Sequence, residues 1–232
     1  MIKNLKSTKV NLILILLWFS LAAIGQSEYP NYTTLLDNVL VKRSNFNELY
    51  HNSDSSGKRL IIIEAREYLF NTIYSNVFPY WYGTKWDFNG TTRTPKQGYI
   101  ACGYFVTNVL ADVGFNIPRI GWAQSASEVF IRKLAPNRLK RFSNRPISEV
   151  ERYLKTTGNG LYLVGLDSHV GFIVVNNDKI EFIHSNYYQA NIGVMSEEID
   201  SWNPLNDSSY RIVGKLLSDE MVINWLDNIA YE

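Results

Sequence analysis

One cysteine and two histidines are the residues of this sequence that could do chemistry together. Cys102 is the only cysteine among 232 residues and lies in "GYIACGYFV", Gly98 to Val106. It cannot form a disulfide within the chain, so the thiol is buried and inert, forms a disulfide with another chain, or takes part in a reaction. A thiol attacks only as the thiolate, so its usual pKa of about 8.5 must be lowered. A helix N-terminus and a neighbouring imidazole both do this.

The residues after Cys102 predict a helix that begins at or within a residue or two of the thiol. Apolar residues recur at helical spacing and a glycine follows them as a C-terminal stop, at Phe105, Val106, Val109, Leu110, Val113 and Gly114. Cys102 is therefore expected to have unpaired backbone N–H groups nearby.

The spacing of His169 and His184 predicts that the two rings meet across a β-hairpin. A two-residue turn at Asn177–Asp178 would place Gly171 opposite His184, with the histidines as diagonal neighbours on one face. A turn one residue earlier would place them directly opposite each other. Only an odd-length turn without a bulge would separate them.

These three residues suggest an acyl-transfer site. Cys102 would attack a carbonyl carbon, and His169 would hold the thiolate as an ion pair and later protonate the leaving amine. His184 would orient the His169 ring. Asp167, two residues before His169, is an alternative orienting group that is given less weight than His184. His51 lies in a polar stretch and is expected to be solvated.

A metal site is a weaker interpretation of the same residues. One cysteine and two histidines could bind zinc, but a closed zinc site needs a fourth ligand and tighter spacing. We expect no metal and no cofactor.

The elements around these residues predict an α+β fold, with helices first and antiparallel strands after them. The pattern predicts a helix from Leu60 to Val77, ended by Pro79, and then an aromatic, glycine-containing loop that shapes a pocket. Further helices are expected at 123–134 and 146–156, and strands at 161–166, 169–175, 179–185 and 211–217. A last helix should bury one face, formed by Met221, Val222, Trp225, Leu226 and Ile229.

The N-terminus is typical of an export signal. Three lysines precede a 13-residue apolar run, "LILILLWFSLAAI", which is too short to span a bilayer comfortably. We expect cleavage after residue 25 and a secreted or periplasmic protein without stable membrane insertion. An extension with a short helix would cover residues 26–57, with "HNSDSSGK", His51 to Lys58, as its linker into a domain of residues 58–232.

Composition limits the class of partner. Without residues 1–25 the chain has 20 basic and 22 acidic residues, so a nucleic-acid partner is not expected. The remaining 207 residues can bury one good core without disulfides.

Four short motifs in order resemble the NlpC-type cell-wall cysteine peptidases of the papain-like superfamily. They are "PYWYGT" from Pro79, "ACGYFV" from Ala101, "HVGFIV" from His169 and "FIHS" from Phe182, and "GFNIPR" follows the predicted cysteine helix. The match covers roughly residues 58 to 190.

This resemblance implies a papain-like core with the nucleophile at a helix N-terminus and hydrolysis of an amide in peptidoglycan peptides through a thioester. It implies Cys102 as nucleophile, His169 as base, His184 as orienting residue and Tyr80 near the oxyanion site, where the Cys102 N–H would also donate. The Asp and Ser that flank the family cysteine are replaced by Ala101 and Gly103. In relatives those residues help to hold the substrate, so the particular peptide stays open.

Two other functions remain open on the sequence. An amidase or acyltransferase acting on a substrate outside the wall would keep the thiol chemistry. A non-catalytic module that binds the wall or a partner would keep only the fold. The stretch from Arg138 to Thr157 is longer than the family minimum and is expected to form a lid or a partner surface.

Overall fold

A six-stranded antiparallel sheet forms the centre of the fold. The computed structural model describes residues 31–232. The strands cross the sheet in the order β1-β6-β2-β3-β4-β5, and each neighbouring pair is antiparallel. In chain order they are β1 (Leu139–Ser143), β2 (Gly160–Leu166), β3 (Val170–Asn176), β4 (Lys179–Asn186), β5 (Gly193–Glu198) and β6 (Tyr210–Lys215). The α+β class predicted from the sequence is confirmed.

Helices precede, interrupt and follow these strands. The described residues form α1 (Tyr32–Asn52), α2 (Ser55–Asn71), α3 (Phe78–Trp81), α4 (Cys102–Asp112), α5 (Arg119–Ala123), α6 (Ser127–Leu134), α7 (Ile147–Thr157), α8 (Pro204–Asp207) and α9 (Asp219–Leu226). Among them, none is both long and apolar enough to cross a membrane.

The sheet carries a hydrophobic core on each face. Successive residues of a strand point to opposite faces. Phe172 and Val174 of β3 belong to the core that contains α4, whereas Ile173 and Val175 belong to the core that contains α7. Helix α4 contacts β3 and β4, and α6 contacts β2 and β6. The helix that begins at Cys102 is therefore fixed against the strands that carry the histidines.

The predicted hairpin register is confirmed. Asn176 pairs with Lys179 and Val175 with Ile180, which leaves a two-residue turn at Asn177–Asp178. Asn177 has a φ of 56°, a left-handed conformation that asparagine tolerates better than most residues.

The first helix is longer than the sequence pattern indicated and belongs to the main core. Leu35, Val39 and Phe46 of α1 are buried in the same cluster as α4. The segment His51 to Lys58 was predicted to be a linker, but it holds the end of α1 and the first turn of α2. Asp54 caps α2 by accepting a hydrogen bond from the Gly57 N–H. Residues 31–232 form one compact unit. The predicted signal peptide and the start of the extension lie outside the described residues.

Pro79 does not end its helix, so that prediction was wrong. A π-helical turn (Thr72–Val77) follows α2, and Pro79 lies in the first turn of α3. Proline is common at the first positions of an α-helix because its fixed φ suits them. The helix ends instead at Trp81, and Gly83 with a φ of 83° turns the chain into the aromatic loop.

The stretch from Arg138 to Thr157 forms an edge strand and a helix packed on the sheet, which is not the lid that was one expectation, while its other predicted role, a partner surface, stays a prediction. Its first half is β1, the edge strand that pairs with β6. Its second half is α7, whose Val150 and Leu154 are fully buried against the sheet. Most residues of both elements are polar or charged, so the few buried apolar residues did not stand out in the sequence.

The last helix is confirmed with one exception. Met221, Val222, Trp225 and Leu226 are buried. Ile229 is 50% exposed because α9 ends at Leu226, and the helical spacing no longer applies beyond that residue.

Candidate active site

Cys102 is the first residue of α4. Ala101 before it is extended, and the first carbonyl of the helix, that of Ala101, accepts from the Phe105 N–H. The N–H groups of the first turn therefore lack partners within the helix. Burial raises the pKa of the Cys102 thiol, and hydrogen bonds from the backbone N–H groups of Val170, Gly103 and Cys102 lower it. Burial is the larger effect, so the pKa lies above its usual value.

Gly103 is required by a close approach of two helices. A Cβ at this position would lie 2.3 Å from the carbonyl oxygen of Ala123, at the end of α5. No side chain fits in that space without a shift of backbone. The serine found after the cysteine in the peptidases that the sequence resembles has no room here.

His169 and His184 meet as the hairpin register predicted. His169 directly precedes β3, His184 lies in β4, and both are buried. Their rings are 4.9 Å apart between centroids, and His169 Nε2 lies 2.7 Å from His184 Nδ1. Gly171 makes this possible, because a Cβ there would lie 2.8 Å from the Cβ of His184.

Glu197 is a residue of this site that the sequence analysis missed. Its Oε2 lies 2.7 Å from His184 Nε2, and its side chain is 7% exposed. It lies in β5, which was not predicted because "GVMSEE" is short and ends in acidic residues. Once β5 is placed beside β4, Glu197 pairs with Phe182, two residues before His184. Antiparallel pairing of those two strands is the pattern that would have found it.

Cys102 and His169 line the same two cavities. The larger has a volume of about 680 Å³ and the smaller about 450 Å³, and Gly103, Ala123 and Ser168 also line both. His169 Nδ1 is buried and has no hydrogen-bond partner among the described residues. Because His169 Nε2 is bonded to His184, Nδ1 is the ring nitrogen that remains available to accept the thiol proton.

The histidines are held in their neutral form. Burial lowers the pKa of His169 well below its usual value, and the neighbouring His184 lowers it further. Burial also lowers the pKa of His184, to about 3. Together with the raised thiol pKa, this favours a neutral thiol and a neutral imidazole in the free protein. The sequence had led us to expect a thiolate–imidazolium pair, and the burial of all three groups opposes it.

The two cavities differ in chemistry. Aromatic side chains dominate the lining of the larger one, namely those of Trp86, Phe88, Tyr104 and Tyr187, and none of its described lining residues is Asp, Glu, Lys or Arg. The smaller one is lined by Glu128, Asp167 and Tyr210. The groove through the thiol therefore has a neutral aromatic arm, defined by the larger cavity, and an acidic arm, defined by the smaller one.

The loop that contributes Trp86 and Phe88 to the aromatic arm is held by hydrogen bonds on two sides. Towards α4, Arg93 donates to Asn108 at 2.8 Å and pairs with the buried carboxylate of Asp112 at 2.5 Å. Towards the sheet, the buried Ser185 hydroxyl donates to the Ile100 carbonyl at 2.7 Å. The aromatic loop is therefore built into the wall of the groove, as its composition had predicted.

Three other residues were considered from the sequence. Tyr80 is in α3, its ring lies 5.0 Å from that of Tyr32, and it packs against the same hydrophobic core as Cys102. Asp167 accepts from the Ser208 hydroxyl at 2.7 Å and from the Ser209 N–H, not from His169. His51 lies 2.7 Å from Asp227. Within residues 31–232, no cluster of three or more histidine, cysteine or acidic side chains could hold a metal.

Comparisons of the chain with models of protein families, with curated proteins and with solved structures found no match.

Proposed function

We propose that this protein is a cysteine hydrolase that cleaves an amide bond. The observation that carries the proposal is the free Nδ1 of His169, which is buried beside the cavities that Cys102 lines while His184 holds the opposite ring nitrogen. A buried imidazole that has one nitrogen held and the other unbonded, in a residue that lines the same cavities as a thiol, fits a nucleophile, a base and an orienting group.

The reaction follows from these positions. His169 Nδ1 takes the thiol proton as the Cys102 sulfur bonds to the carbonyl carbon, and the carbonyl oxygen becomes an oxyanion. The Cys102 N–H at the start of α4 stabilises that oxygen. His169 then gives the proton to the leaving amine as the C–N bond breaks, which leaves a thioester. A water attacks the thioester, again with His169 as base, and releases the acid and the thiol. The sequence resemblance also implies Tyr80 near this oxyanion, and the proposal keeps that role for it.

The resemblance of four sequence motifs to the NlpC-type peptidases supports stem peptides of peptidoglycan as the substrate class. The apolar N-terminal run supports the same substrate, because an exported enzyme would meet the wall. The neutral aromatic arm also supports a second candidate, an amidase or acyltransferase that acts on another uncharged amide.

The test is digestion of purified peptidoglycan by the full-length protein, followed by mass spectrometry of the released peptides. We expect new peptide ends with the wild type and none with Cys102→Ala. Intact peptidoglycan, together with hydrolysis of an N-acylated peptide in a parallel reaction, would select the amidase. Retained binding of peptidoglycan by both proteins without any cleavage would contradict the hydrolase and leave the binding module.

A further inference from the structure

We propose that Glu197 is a positioning residue that sets the direction of a chain of hydrogen bonds ending at the Cys102 thiol. The inference rests on the proposed function and deepens it by adding a fourth member to the site. The chain has two measured links, each of 2.7 Å: Glu197 Oε2 to His184 Nε2, and His184 Nδ1 to His169 Nε2.

The direction of the chain decides whether His169 can act as a base. A carboxylate can only accept hydrogen bonds, so Glu197 takes the proton of His184 Nε2–H. A neutral imidazole carries one proton, so His184 Nδ1 is then an acceptor and takes the Nε2–H of His169. That leaves His169 Nδ1, which has no hydrogen-bond partner among the described residues, without a proton.

If the hydrogen bonds ran in the opposite direction, the two imidazoles would still be bonded to each other, but His169 could not accept the thiol proton. If His184 carried its proton on Nδ1, it would donate to His169 Nε2. His169 would then carry its own proton on Nδ1, the atom that must receive the thiol proton. The two histidines alone do not choose between these directions, so the choice falls to the group at the far end of the chain.

Burial raises the pKa of Glu197, and two neighbouring amides oppose that effect by offering donors to its charged, acceptor-only form. Asn186 Oδ1 accepts from the Tyr188 N–H at 2.8 Å, which fixes the orientation of the Asn186 amide. Its Nδ2 therefore faces Glu197 and donates to Oε2 at 3.2 Å. Gln189 Nε2 lies 3.5 Å from the other oxygen, Oε1. Hydrogen bonds from two amides to the charged form oppose the penalty of burying it.

The experiment reads the histidine tautomers directly by NMR of full-length protein labelled with ¹⁵N-histidine. The chain has three histidines, so His51→Gln identifies the third signal. In the wild type we expect both His169 and His184 to carry the proton on Nε2. Glu197→Gln presents a donor as well as an acceptor, so we expect Nδ1–H forms of both rings to appear. Activity should fall by about 10- to 100-fold in kcat with KM unchanged, because fewer molecules hold a competent base.

The matched control is Glu198→Gln, which removes the same charge from the neighbouring exposed residue of β5 and should change neither tautomer nor kcat. An Nδ1–H form of His169 in the wild type would overturn the inference, even if Glu197→Gln failed to fold. So would unchanged tautomers in folded Glu197→Gln. The tautomers are measured without substrate, so a failure of the proposed hydrolysis and a failure of this inference give different results.

Discussion

At the scale of single residues, burial governs the chemistry of the site. His169 and His184 are buried and Cys102 is partly buried, and a group removed from water favours its uncharged form. In the proposed reaction, transfer of the thiol proton is then coupled to attack on the substrate and is not completed beforehand. The proposed role of the helix start at Cys102 is mainly to offer N–H groups to the developing oxyanion.

The pH dependence of thiol alkylation tests this directly. Burial raises the pKa of Cys102, and the thiolate predominates only above that pKa. The alkylation rate of the free protein should therefore rise with pH through a midpoint above the usual value of about 8.5. Iodoacetamide modification followed by mass spectrometry gives the profile. A plateau well below pH 8.5 that is lost in His169→Ala would instead reveal a preformed ion pair.

Substitution of Gly103 tests whether α4, which carries the thiol, packs closely against α5. We expect Gly103→Ser to destabilise the protein by about 1–3 kcal/mol, because its Cβ would lie 2.3 Å from the Ala123 carbonyl oxygen. Urea unfolding monitored by circular dichroism measures this. Gly121→Ser is the control, since a Cβ there meets nothing within 4 Å. Equal stability of the two variants would show that α4 and α5 are not in close contact.

At the scale of elements, the spacing of apolar residues predicted the elements that depend on contacts between residues close in the sequence. The helix from Cys102 and the hairpin that pairs the histidines follow from apolar spacing and one turn, and both were predicted. Strands β1 and β5 lie at the two edges of the sheet and carry charged residues on their exposed side, so their sequences lack a clear alternation. Glu197 was missed for that reason, since its role depends on a pairing between strands.

Helix α1 is the clearest case of a tertiary contact overriding a local pattern. It was predicted to be short and outside the main domain, but Phe46 packs 6.5 Å from Trp225 of α9 between ring centroids. Phe46→Ala should therefore cost about 3–5 kcal/mol of unfolding free energy in a single transition. Leu49→Ala, on the exposed side of the same helix, should cost less than about 0.5 kcal/mol. Two separate transitions, or no effect of Phe46→Ala, would make α1 an independent extension.

At the scale of the whole molecule, the groove has a charge difference between its two ends. The aromatic arm is neutral, and the acidic arm carries Asp167 and also Glu128, which is paired with Arg141. The thiol lies where the arms meet, so a bound amide would place its two sides in different surroundings. An uncharged, ring-bearing group suits the aromatic arm, and a carboxylate-rich group is disfavoured in the acidic arm.

Phe88 offers a test of the aromatic arm, because its side chain is 79% exposed at the edge of the groove. Covering an aromatic side chain contributes about 1.5–3 kcal/mol, so Phe88→Ala should raise KM by roughly 10-fold or more with kcat unchanged. The assay compares hydrolysis of N-acylated peptides by the two proteins. Leu60→Ala, which removes an exposed apolar side chain from α2, is the control. An equal KM for Phe88→Ala and the wild type would exclude the aromatic arm from substrate binding.

The central claim is that Cys102 and His169 act together as nucleophile and base, and acylation by p-nitrophenyl acetate tests it without knowledge of the natural substrate. We predict a burst of p-nitrophenolate and an acetyl group on Cys102 in the intact-protein mass spectrum. The burst should be absent in Cys102→Ala and at least about 100-fold slower in His169→Ala, but unchanged in His51→Gln. No acetyl group on Cys102, or equal rates in the two histidine variants, would contradict the account.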